Sequence, residues 1–346
     1  MQKTLFERIK GNLLEKRRNL SEWLDSAPEQ EKQVHLGPAD ESAVHAHLQV
    51  LDIALEKASD GSLGLCDVCH EQVETALLET DYTACVCIDH FSTAEVRQLE
   101  GELELSQKLQ HAMLPQQAPA IPGLELAFFN RPAQIVGGDY YDFIRFRDGT
   151  YGLVVADVVG HGVSASLLMA SVHTLLHALI PEKDSPSQVL ERVNGLFIHN
   201  IRITTFVTVF LGQYDPITGV LRYCNAGHNP PLLVHNQAAG ERTASWLEPT
   251  AAAIGLVEDF RTTEKTAVLN PGDTLLIYTD GVTEAIDSNE QQFGYERLAG
   301  LAQAESGSSA NILVREVRRA LFEHTGSQPF SDDITIVACK RAEGEG

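Results

Sequence analysis

Four aspartates, each beside a glycine turn or at the end of an apolar run, constrain this chain more than any other feature. They are Asp139 in Gly137-Gly138-Asp139-Tyr140-Tyr141-Asp142, Asp157 in Ala156-Asp157-Val158-Val159-Gly160-His161-Gly162, Asp280 in Tyr278-Thr279-Asp280-Gly281-Val282-Thr283-Glu284, and Asp332 in Ser331-Asp332-Asp333-Ile334-Thr335. Runs such as Leu153–Ala156 and Thr274–Tyr278 are rich in Val, Ile, Leu and Tyr and read as buried strands. Carboxylates gathered at the ends of such strands repel one another and resist desolvation, so they persist together only where cations hold them. Oxygen donors specify magnesium or manganese over zinc. Several of them at one polynuclear site point to hydrolysis or phosphoryl transfer. One Asp before Gly is ordinarily a turn. The set of four carries the argument.

These strings, in this order, resemble the bacterial SpoIIE/RsbU-type branch of the metal-dependent protein phosphatases, relatives of protein phosphatase 2C. Asn225-Ala226-Gly227-His228-Asn229-Pro230-Pro231 and Gln110-His111-Ala112-Met113-Leu114-Pro115 are also typical of that branch. The resemblance runs from about Leu105 to Lys340. It implies an α+β fold: an antiparallel β-sandwich flanked by helices, here preceded by a helical zinc-finger module.

At 346 residues the chain exceeds the usual single core, so two domains are expected. An apolar fraction of 43% supports globular folding over disorder. A net charge of −22 argues against direct nucleic-acid or anionic-membrane binding, which needs basic patches. Apolar runs such as Tyr151–Val159 read as too short to span a bilayer, and the N-terminus has early charges and no signal-peptide core. A cytoplasmic protein is the expectation.

Helices are predicted over about Thr4–Asp25, Asp40–Ala58 and Thr93–Met113, the first two pairing as a hairpin around a break at 27–39. From Leu124 onward, short strands alternate with turns. Helices follow over Ser164–Leu179, from Ser185-Pro186-Ser187-Gln188 with Gln188 completing a capping box, and over Asn311–His324. Asp215-Pro216-Ile217-Thr218-Gly219 signals a hairpin between Thr205–Tyr214 and Val220–Asn225, and Ile334–Lys340 is the last strand. The expected division is residues 1–92 for the hairpin and zinc finger, 93–115 for a linker helix, and 116–341 for the phosphatase domain. An apolar stripe on the linker helix is compatible with a homodimer, although Ser106 and Gln110 interrupt a strict heptad seam.

Four of the six cysteines fall between Cys66 and Cys87. Cys66-Asp67-Val68-Cys69 and Cys87-Ile88-Asp89-His90 each have the two-residue spacing that chelates one ion from a tight turn, giving a Cys3His set for one structural zinc. Cys85 is the alternative fourth ligand, less natural beside Cys87. Leu51–Phe91 looks like the DksA/TraR-type zinc finger, a family that usually has Cys where this chain has His90. Some members of that family enter the secondary channel of RNA polymerase with acidic residues at a coiled-coil tip. The corresponding segment here, about Ala27–Asp40, holds Pro28 and Pro38 and no clear acidic pair. Cys224 and Cys339 read as small core residues.

The phosphatase resemblance implies two manganese or magnesium ions bridged by Asp157, with Asp139 as an outer ligand of one, directly or through water, Asp280 and Asp332 on the other, and the Val158 carbonyl as a further metal ligand. Asp332 is the first acid of its string and is preferred to Asp333. Asp142 and Glu284 read as neighbouring hydrogen-bonding groups rather than ligands. Water shared by two such cations has a lowered pKa and attacks phosphoserine or phosphothreonine without a protein nucleophile. The departing alkoxide needs a proton, for which His161 is the candidate, a structural role at its glycine turn being the alternative. His228 reads as structural. The implied protein is a protein serine/threonine phosphatase acting on a phosphoprotein in bacterial signalling, such as an anti-sigma-factor antagonist in sigma-factor partner switching. The alternative is a transcription-associated zinc-finger binding protein with a catalytically dead phosphatase-like scaffold.

Overall fold

A computed structural model describes residues 2–26, 42–73, 78, 83–90, 93–160, 162–200, 205–236, 242–326 and 330–342. His161 and the 27–40 tip segment lie outside the described residues. The chain forms two compact units, Met1–Gly101 and Glu102–Gly346.

In the first unit, helices α1 (Gln2–Ser26) and α2 (Ser42–Asp60) pack together. Ile9 and Leu13 share one buried cluster with Leu51, Ala54, Leu63, Cys66, Val73 and Cys87. Steps of three and four place Ile9 and Leu13 on one face of α1, and Leu51 and Ala54 on one face of α2. Helix α3 (Thr93–Met113) runs through the point where the two units divide.

Among the described residues, the second unit holds ten strands: β1 (Leu124–Arg131), β2 (Tyr140–Arg145), β3 (Tyr151–Val158), β4 (Val207–Tyr214), β5 (Val220–Ala226), β6 (Leu232–Asn236), β7 (Arg242–Trp246), β8 (Lys265–Val268), β9 (Thr274–Tyr278) and β10 (Ile334–Arg341). They form two five-stranded sheets, ordered β1-β10-β9-β6-β7 and β2-β3-β4-β5-β8, with every pairing antiparallel. The helices are α4 (Gly162–Leu179), α5 (Pro186–Asn200), a single turn α6 (Asp280–Thr283), α7 (Tyr295–Glu305) and α8 (Ala310–Thr325).

Side chains alternate across a strand with a period of two, so each central strand is buried on both faces. Leu153 and Val155 of β3 join Leu275 and Ile277 of β9 and Val337 of β10 in the layer between the sheets. Val154, Ala156 and Val158 point the other way, onto Met169 and Val172 of α4 and Val189 and Val193 of α5. Leu276 and Tyr278 likewise turn outward to meet Val317 and Leu321 of α8. The result is the expected antiparallel sandwich flanked by helices.

Two local expectations need correction. Gly162–Glu182 is long and apolar enough to cross a bilayer, with a mean hydropathy of 1.6. Its Ala165, Met169, Val172 and Leu176 instead form a buried stripe on the second sheet. At the start of α5, the Ser187 N–H and hydroxyl both donate to Glu264, at 3.2 and 2.6 Å. A carboxylate brought in by tertiary folding therefore serves that helix N-terminus, where Gln188 was expected.

Candidate functional site

The alternation that builds the core also aims the acids. Asp157 shares the parity of Leu153 and Val155, so it continues the inter-sheet layer past its last apolar residue. Asp139 bears the same relation to Tyr141 on β2, Thr279 to Ile277 on β9, and Thr335 to Val337 on β10. Residues 139 and 157 come from the second sheet, and 280 and 332 from the first, all at one end of the sandwich.

Asp139 is 3% exposed. Its Oδ2 accepts hydroxyl bonds from Thr279 at 2.8 Å and Thr335 at 2.6 Å, whereas its buried Oδ1 has no hydrogen-bond partner among the described residues. Burial, then the charges of Asp157 and Asp333, hold the Asp139 carboxyl well above the usual carboxylate range. Asp157 is pushed up to about 8 by burial and then by Asp280, Asp332 and Asp333. Burial, followed by Asp332 and Glu284, raises Asp280 to about 6. Carboxylates from both sheets thus repel one another in a desolvated space, which is the electrostatic condition that a bound cation relieves.

The two acids of the Asp332-Asp333 pair face different partners. Asp333 is 2% exposed; its Oδ1 accepts from the Ala133 N–H at 2.7 Å and its Oδ2 from the Gly138 N–H at 2.6 Å. It pins the glycine turn ahead of Asp139. Asp332 is half-buried and accepts the Asp333 N–H at 2.8 Å. Its charge acts on both Asp157 and Asp280.

Close backbone approach explains two glycines here. A Cβ on Gly138 would lie 2.7 Å from the Val158 carbonyl oxygen, and one on Gly281 would lie 2.0 Å from that of Asp333. Gly137 is gripped separately: Gln110 Nε2 donates to its carbonyl at 2.6 Å, and the Gly137 N–H donates to Gln110 Oε1 at 3.1 Å.

Other candidates take different positions. Asp142 has the opposite parity to Asp139 and faces α4, where its Oδ2 accepts from the Tyr140 hydroxyl and bonds His177 Nε2, each at 2.7 Å. Glu284 is exposed at the end of α6. Burial pushes the His228 imidazole down to about 3, and its Nδ1 meets the Thr208 hydroxyl at 2.8 Å. A neutral ring fixed in a turn suits a structural role. The contributions of Gln110, Thr279, Thr335 and Asp333 were missed in the sequence, although strand parity could have flagged both threonines.

In the first unit, the side-chain donor atoms of Cys66, Cys69, Cys87 and His90 all lie within 4.8 Å of one another. Cys87 Sγ is 3.0 Å and Cys66 Sγ 3.8 Å from His90 Nδ1, and Cys69 Sγ is 3.5 Å from Cys87 Sγ. Backbone N–H groups of Val68 and Cys87 each donate to Cys66 Sγ at 3.4 Å. Burial pushes the Cys66 thiol up, but the backbone bonds outweigh it and bring the thiol down to about 6. Cys85 stands outside this group of four.

The chain is 27% identical over 248 residues to the phosphoserine phosphatase RsbU of Bacillus subtilis, a match covering 71% of each protein. Among solved structures, the SiaA-PP2C domain of Pseudomonas aeruginosa matches with a TM-score of 0.62 and 25% identity, over 72% of this chain and 99% of that one. The RsbU and RsbW domains of Rv1364c from Mycobacterium tuberculosis match with a TM-score of 0.58 and 30% identity, over 68% and 64%. The profile of the family described as stage II sporulation protein E (SpoIIE) matches residues 147–342. With this sandwich and its acid-lined end, the chain belongs to the SpoIIE family and carries a phosphatase domain of the protein phosphatase 2C type.

Proposed function

We propose that the protein hydrolyses phosphoserine or phosphothreonine on a protein substrate in bacterial partner-switching signalling, an anti-sigma-factor antagonist being the substrate class that fits. The observation that carries this reading is the convergence of Asp139, Asp157, Asp280 and Asp332 from both sheets on one desolvated space, with Asp139 Oδ1 left without a partner among the described residues. An all-oxygen set of this kind fits two manganese or magnesium ions better than zinc. Asp157 would be shared by the two, Asp139 would serve one, Asp280 and Asp332 the other, and the Val158 carbonyl would add a further oxygen donor. Bound there, the ions supply a water of lowered pKa and neutralise charge on the phosphoryl oxygens.

This chain's residues contribute the rest. Thr279 and Thr335 fix the Asp139 carboxylate, and Asp333 and Gln110 fix the glycine turn that presents it. His161 is the proposed proton donor to the departing serine or threonine oxygen. Residues 116–341 are the proposed catalytic domain, 93–115 its linker helix and 1–92 a helical zinc-finger module. Three thiolates and an imidazole in that module, the proposed ligands being Cys66, Cys69, Cys87 and His90, suit one structural zinc. The deciding measurement is turnover of a phosphoserine peptide by the full chain with manganese and with chelator. Manganese-dependent release of phosphate is expected. A folded protein that takes up manganese yet releases none would be a scaffold instead.

A further inference from the structure

We propose that Asp142, His173 and His177 form a transition-metal site of the zinc class between β2 and α4, separate from the carboxylate centre and unlike it in chemistry. The donor atoms of these three residues lie within 4.8 Å of one another. His173 and His177 are four residues apart on α4, the spacing that sets two imidazoles on one helical face and lets them share a metal. Asp142 comes from the facing strand. Strand alternation separates it from Asp139: the latter continues the inter-sheet layer, while Asp142 follows Tyr140 and Ile144 onto the α4 side.

The surroundings hold all three side chains in place. Asp142 is buried, and its Oδ1 accepts the Phe143 N–H at 2.6 Å while the Tyr140 hydroxyl reaches Oδ2. Tyr140 is fully buried, and its ring lies perpendicular to that of His173, with centroids 5.7 Å apart. The two imidazole rings lie 4.3 Å apart. Two nitrogens and one carboxylate favour zinc and its transition-metal neighbours over magnesium. The His177 side chain is 46% exposed, which leaves the remaining coordination positions open to water. Such an ion would tie the C-terminal half of α4 to β2.

The test counts zinc on the chelator-stripped, full-length protein, titrated with zinc against a chromophoric competitor. Wild type is expected to take up about one zinc per chain more than His177→Ala or Asp142→Asn, as three residues holding one ion require. That difference does not depend on whether the cysteine module also binds. Cobalt separates the two sites further, because only the cysteine site gives intense thiolate-to-cobalt absorption. Tyr140→Phe keeps the ring but removes the hydroxyl that orients Asp142, and should weaken this zinc by about 10–100-fold. Exposed His177 tolerates truncation, so its variant reports binding rather than folding, and manganese-dependent turnover in it should stay near wild type. Equal zinc uptake by wild type and His177→Ala would reduce the trio to a histidine–aspartate hydrogen bond and overturn the site.

Discussion

Gln110 holds Gly137 with both ends of one side-chain amide, donating to its carbonyl and accepting from its N–H. Gly137 is two residues before Asp139, so the end of α3 is mechanically joined to the acid turn. In Gln110→Ala, both backbone groups of the buried Gly137 lose their partner, at a cost of about 1–3 kcal/mol for each group left unsatisfied. The manganese concentration for half-maximal turnover should rise by about tenfold, in line with 1.4 kcal/mol per decade. Saturating manganese should restore most of the rate. Gln110→Glu can still accept but cannot donate, and should fall between. An unchanged manganese titration in Gln110→Ala would mean that the turn is held without the clamp.

Asp157 and Asp280 should respond differently to neutralisation. Asp157 feels Asp280, Asp332 and Asp333, consistent with a central position, so Asp157→Asn should lose turnover by several orders of magnitude even in excess manganese. Asp280→Asn should be partly rescued. Stability without metal should move the opposite way. The folded pKa of Asp157, about 8, lies above its ordinary 3.8, so its contribution is fully present below 3.8 and is lost as pH rises toward 8. In chelator, Asp157→Asn should therefore melt above wild type by a margin that widens from pH 5 to 8 and then levels. Thermal unfolding of both proteins across that range checks the sign; a margin that shrinks with rising pH contradicts it.

The acids could be read from sequence because their chemistry is conspicuous: carboxylates that close several apolar runs need cations wherever those ends meet. Strands such as Thr274–Tyr278 and the linker helix Thr93–Met113 were legible for a similar reason, since their apolar periods are local. What stayed hidden depends on chain crossings. Thr279 and Thr335 matter only because β9 and β10 pair and Asp139 arrives from the other sheet. Glu264 reaches Ser187 across 77 positions, and His177 reaches Asp142 across 35. No window along the sequence contains either pair. The helix over Ser164–Leu179 was legible as well, although the apolar runs named for length did not include it.

The cysteine module offers a ligand-specific test. His90 Nδ1 lies 3.0 Å from Cys87 Sγ, whereas Cys85 is outside the cluster. Cys85→Ser should keep the proposed zinc, and His90→Ala should weaken its binding. Cys69→Ser should release it and lower the melting temperature of the first unit, because a structural zinc contributes directly to folding. Zinc analysis and calorimetry of the full chain decide this. Retention in His90→Ala with loss in Cys85→Ser would exchange the fourth ligand.

Gly281 and Gly300 make a matched pair for testing how tightly the site is packed. On Gly281, an added methyl would sit 2.0 Å from the Asp333 carbonyl oxygen, so α6 and the start of β10 must separate. Asp333 holds the Ala133 and Gly138 N–H groups, and that shift is passed to the turn before Asp139. Gly281→Ala should cost about 1–3 kcal/mol and weaken manganese activation together with it. Gly300 is exposed within α7, and a Cβ there meets nothing within 4 Å among the described residues. Gly300→Ala should instead stabilise by roughly 0.5–1 kcal/mol through helix propensity alone, leaving the manganese titration untouched. Thermal unfolding and manganese-dependent turnover of the two variants separate packing at the site from stability in general. If both variants shift stability alike, the contact between Gly281 and Asp333 is looser than its geometry indicates.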